Sequence, residues 1–110
     1  MTVNPTRVTW TAPTENEDGT PIDYELSYDV GKKLADGSFV PIYTTPGSLN
    51  PDGTYEAPIA EMGFEDGKHE IAMRAFRVDV PTLRSVWSNT VQFEVEVNKP
   101  GAPLDVTVVA

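Results

Sequence analysis

The sequence predicts an all-β domain of antiparallel strands, packed as a two-sheet sandwich or small barrel. Three observations carry this: apolar residues recur with a period of two, the chain holds 8 glycines and 10 prolines, and Asp-Gly pairs punctuate it at regular intervals. Between residues 22 and 30 the even positions read Ile22, Tyr24, Leu26, Tyr28 and Val30, while the odd ones read Asp23, Glu25, Ser27 and Asp29. That is a strand with one buried and one wet face. Val91, Phe93, Val95 and Val97 alternate with Gln92, Glu94 and Glu96, and Ile71, Met73 and Ala75 alternate with Glu70, Ala72 and Arg74. Shorter strands are expected at residues 6–12, 39–43 and 54–59. Turns are expected at Asp18-Gly19, Asp36-Gly37, Asp52-Gly53 and Asp66-Gly67, and loops near Pro13, Pro46, Pro51 and Pro81. No ten-residue window keeps helical spacing without a Gly or Pro inside it, so no helix is expected.

With 110 residues the chain has room for one domain, and 17 acidic against 8 basic side chains give a formal charge of -9. Hydrophobic residues at 39% and charged residues at 23% suit a folded chain rather than a disordered acidic tail. The absence of cysteine excludes disulfide scaffolds, cysteine nucleophiles and cysteine-ligated zinc. So much negative charge, unrelieved by any Lys/Arg run, repels phosphate, and nucleic acid is not expected as a partner. No apolar stretch approaches the ~18 residues of a membrane span, and no basic amphipathic helix points to a lipid surface. The first residues show neither a basic n-region nor an apolar h-region, so the chain is expected either to act without Sec export or to have lost a leader.

Val8-Thr9-Trp10-Thr11-Ala12-Pro13, an acidic loop ending Asp18-Gly19, and residues 21–28 resemble the B strand, BC loop and C strand of a fibronectin type III domain. Residues 63–75 are similar to the turn and F strand of that family, and residues 85–91 to its G-strand opening. The resemblance spans roughly residues 6 to 97. It implies a Greek-key sandwich with Trp10 in the core. Where many members of the family carry a tyrosine in the turn before strand F, this chain has His69. A lone imidazole is a poor start for a metal site or a general base, and a single hydrogen bond at the corner is the expected role.

The ends depart from the family pattern. Only Met1 to Pro5 precede the tryptophan strand, with Val3 as the one inward candidate, so strand A is expected to be short or missing. After the break at Pro100-Gly101-Ala102-Pro103, the run from Leu104 to Val109 sets Leu104, Val106 and Val108 on one face and looks like a family strand A. The expected organisation is a sandwich over residues 1–99, then a linker and extra C-terminal strand over residues 100–110. An apolar ribbon with only Asp105 as gatekeeper needs a sheet edge. Its own sheet, a neighbouring copy and a different protein are the three candidates. Burying its three inward side chains is worth about 5 kcal/mol before ordering costs.

Other candidate surfaces are the acidic loop and the F–G loop. Glu15, Glu17 and Asp18 form a carboxylate cluster, but paired catalytic carboxylates need a cleft, which regular alternation does not foretell, and the spacing lacks the ligand pattern of an EF-hand. No enzyme activity, cofactor or metal is therefore expected. The F–G loop sets Val80 and Leu83 between Arg77 and Arg84, a composition suited to protein contact. Its arginines are expected either to meet the acidic loop or to remain free for a partner. It lacks the Arg-Gly-Asp tripeptide of integrin-binding family members. Tyr43, Tyr55 and Trp87 would make a sugar platform only if they shared a face, and Trp87 is expected at a sheet edge. The function expected is a non-catalytic structural or interaction module, a bacteriophage virion or decoration protein at the virion surface. The alternative is an adhesion or spacer domain of a secreted bacterial surface protein or carbohydrate-active enzyme.

Overall fold

A computed structural model describes residues 1–97 and 100–110. Among them the strands are β1 (Thr2–Val3), β2 (Arg7–Trp10), β3 (Leu26–Lys33), β4 (Phe39–Thr45), β5 (Ser48–Leu49), β6 (Tyr55–Pro58), β7 (Gly67–Arg77) and β8 (Val91–Val95). One 3₁₀ turn, Ile59–Met62, connects β6 to β7. Two sheets form, ordered β1-β8-β7-β3-β4 and β2-β6-β5. Every pairing is antiparallel except β1 with β8. The chain is thus all-β, with a core shared between two sheets.

The inward face carries Tyr28, Val30, Ala57, Ile71, Met73 and Phe93, all buried, with Ile59 and Met62 of the 3₁₀ turn closing one end. Trp10 meets Tyr28 edge-on at 5.1 Å and stacks on Tyr55 at 6.3 Å. At the corner before β7, His69 is 9% exposed, wedged between Phe64 and Phe93. Its Nε2 lies 2.7 Å from the Glu65 carbonyl, to which it donates, while Nδ1 is buried without a partner.

Three turns share one construction. In Asp18-Gly19-Thr20, Asp36-Gly37-Ser38 and Asp52-Gly53-Thr54 the aspartate Oδ1 accepts from the backbone N–H of the third residue at 2.9–3.0 Å and from its hydroxyl at 2.6 Å. The middle glycines sit at φ of 85°, 86° and 89°, a region where a side chain would be strained. These bonds hold all three carboxyls below their usual pKa, the hydroxyl bond being the larger cause. Asp66-Gly67-Lys68 has no hydroxyl to offer. There Oδ1 takes the Val97 N–H instead, at 3.2 Å.

Several expectations need correction. The strand foreseen at residues 22–30 begins at Leu26, because Ile22 N–H bonds Thr14 O inside the preceding loop and Tyr24 turns to Arg77. It then runs on to Lys33 through an irregularity at Val30/Gly31. Its outer face is not wet: Asp29 is 5% exposed, accepting from Arg74 Nε at 2.9 Å and from the Thr44 hydroxyl at 2.8 Å. Beside that pair, Trp87 lies against Gly31, where an added Cβ would meet its ring at 2.5 Å. Arg74 covers the same indole at 4.3 Å and Phe39 packs against it at 5.3 Å.

Residues 100–110 form no strand and pair with neither sheet of their own chain. The extra strand and its fold-back are therefore not found in the single chain, for two physical reasons. Strand propensity cannot close without a partner edge, and Asp105 sits at a left-handed φ of 53° that interrupts the pleat.

Candidate functional site

Two surfaces gather the residues singled out by sequence. One pole of the sandwich, here the upper, is where Leu26 pairs with Arg77; at the lower pole Gly67 pairs with Val95. The acidic loop and the F–G loop meet at the upper pole around a cleft of about 490 Å³ whose walls include Glu15, Glu17, Asp18, Tyr24, Leu83 and Arg84. Among the described residues the arginines form no ion pair with Glu15, Glu17 or Asp18. Arg77 forms a two-pronged pair with Asp79 at 2.8 and 2.9 Å while its guanidinium rests 3.9 Å above the Tyr24 ring. That partner raises the pKa of Arg77 and lowers that of Asp79. Arg84 donates to Pro81 O at 3.0 Å. Arg77 is paired locally with Asp79 and Arg84 bonds a local carbonyl, so of the two alternatives the inter-loop pairing is not found. Val80 is left 40% and Leu83 54% exposed.

The second surface is one that sequence indicated only through a missing strand. β1 is two residues long and lies on β8, not on β2. β2 therefore has a neighbour, β6, on one side only. Ile59 N–H donates to Thr6 O, which fixes the alternation: Val8 and Trp10 bond to β6, and Arg7 and Thr9 turn their N–H and C=O to the empty side. Across from β2, residues 85–89 run along β7 without joining the regular ladder. Ser85 and Ser88 donate their N–H groups to Ala75 O and Met73 O, and their hydroxyls accept the N–H groups of Ala75 and Met73. Between this segment and β2 opens an apolar groove of about 580 Å³, lined by Val8, Thr9, Trp10, Met73, Val86 and Val91. Val86, alternating with the outward Trp87, is 79% exposed.

The predicted ribbon residues are bare: Leu104 is 86%, Val106 82% and Val108 100% exposed. Tyr43, Tyr55 and Trp87 do not share a face. Tyr43 packs against the core and bonds Glu61, Tyr55 stacks on Trp10, and Trp87 covers the opposite side of the larger sheet. No flat sugar platform results. Among the described residues no group of three or more His, Asp or Glu side chains is placed to hold a metal ion. Among the described residues no helix is long and apolar enough to cross a membrane. Comparison with protein-family models, with curated proteins and with solved structures finds no match to this chain.

Proposed function

We propose that this chain is a non-catalytic structural module, a fibronectin type III-like Greek-key sandwich that decorates or builds a bacteriophage particle and assembles through its C-terminal segment and upper-pole loops. The strand order supports the family reading: β2, β6 and β5 stand as strands B, E and D, and β8, β7, β3 and β4 as G, F, C and C′, with Trp10 inside. The observation that carries the functional reading is the coexistence of a bare apolar ribbon with an unpaired strand edge. Either alone is an aggregation hazard, and together they are complementary halves of a contact.

Light scattering of the full chain from micromolar to millimolar concentration, beside a chain lacking residues 100–110, tests assembly. Mass should rise with concentration only when the segment is present; a monomer in both cases refutes the reading. Mass spectrometry of purified particles tests location and should find the chain in many copies. A second reading, a spacer or adhesion module in a longer bacterial surface protein or enzyme, is favoured by the likeness of residues 104–109 to the first strand of a following domain. In that case the chain is absent from particles.

A further inference from the structure

We propose that the groove between β2 and residues 85–91 is the acceptor site for residues 104–110 of a second copy, which add there as a strand antiparallel to β2. This rests on the assembly reading above and names its site and its occupant.

Hydrogen bonding comes first. Arg7 and Thr9 offer outward N–H and C=O groups on an edge strand that, among the described residues, no other strand pairs with on that side. A docked strand would satisfy them while setting Leu104, Val106 and Val108 into the groove and Asp105, Thr107 and Val109 outward. Only Asp105 has a left-handed backbone to straighten.

Length agrees as well. The groove wall at residues 85–91 and the ribbon at residues 104–110 are each seven residues, about 23 Å when extended. β1 pairs with β8 from Thr2 opposite Phe93, below Val91, the β8 residue that lines the groove.

Charge singles out the same two segments. In a chain of net charge -9, residues 1–13 hold one arginine and no acid, residues 85–91 hold no charge, and residues 100–110 hold Asp105 alone. Copies that repel one another elsewhere can approach here.

Direction argues against the chain's own ribbon. β8 ends at the lower pole, whereas the groove lining extends to Pro13, Ala75 and Ser85 on the upper side. To return, the ribbon would have to climb the free edge of β8, and β1 occupies it with Asn4 N–H bonded to Glu94 O. Descending from a copy above, a ribbon meets β2 antiparallel and needs no reversal.

The absence of cysteine makes a clean test. A Thr9→Cys copy is mixed under mild oxidation with copies carrying Asp105→Cys, Thr107→Cys or Val109→Cys. As a control, Val40→Cys on another edge strand, β4, replaces Thr9→Cys. One of the three ribbon positions should cross-link to Thr9→Cys at least ten-fold more than to Val40→Cys, since paired strands bring Cα atoms within disulfide range. Equal yields, or none, overturn the site. If full-length mass still rises with concentration while Thr9→Cys fails to cross-link, the groove assignment falls and the assembly reading stands. If the chain stays monomeric, both fall.

Discussion

The Asp-Gly-Ser/Thr turns and the C-terminal ribbon are both written in short stretches of sequence, yet one forms in the single chain and the other does not. Each turn finds its partners within five residues: Asn16 N–H bonds Thr20 O, and Asp18 takes both donors of Thr20. The ribbon has equally clear alternation but no edge in reach, and its valines stand in water. Local sequence produces local structure only when the hydrogen-bonding partners are local too. Between these extremes lies the centre of the larger sheet, where Asp29, Arg74 and Trp87 come from distant parts of the chain and close on one another.

The centre should be the hardest place to disturb. Arg74→Met removes the partner of a buried carboxylate and should cost about 3 kcal/mol, read as a shift of the urea midpoint. A change below about 1 kcal/mol would mean that the Thr44 hydroxyl alone suffices for Asp29. Next comes Gly31→Ala, which drives a methyl into the Trp87 ring and should cost about 1–3 kcal/mol, with a visible change in tryptophan fluorescence. Each turn substitution, Gly19→Ala, Gly37→Ala or Gly53→Ala, should cost about 1 kcal/mol, because the left-handed backbone opposes a Cβ although the space around it is open.

Acid provides a gentler probe of the same turns. The carboxyls of Asp18, Asp36 and Asp52 have folded pKa values below their unfolded ones, so what they add is present above the ordinary carboxylate range and lost as pH falls through the folded value. Thermal melts should therefore drop below about pH 4, and a triple Asp→Asn variant should show a flatter profile there. The smallest effect belongs to the ribbon. Removing residues 100–110 should leave the melting of a dilute sample within about 0.5 kcal/mol of the full chain, and a larger loss would show that the segment packs on its own sandwich.

Alternation and turn chemistry made the strands around Tyr28, Met73 and Phe93 legible, since each is a matter of residues two apart or adjacent. The start of β3 was not. Ile22 and Tyr24 continue the apolar period, but loop bonds to Thr14 and the cation above Tyr24 hold them out of the sheet. The 3₁₀ turn at Ile59–Met62 was too short to leave a period, and β5 was only two residues. At the candidate site, the ribbon and the short first strand could be read directly. The groove could not, because its far wall depends on Ser85 and Ser88 clasping β7, and no spacing rule announces a serine that replaces a ladder bond.

The placement of β1 has one last consequence. By sealing the lower stretch of β8 while leaving the upper rim vacant, it makes the two poles unlike. A stack joined ribbon to rim would run head to tail: it closes into a ring if the rotation between copies closes, and otherwise leaves a vacant rim at one tip and a free ribbon at the other.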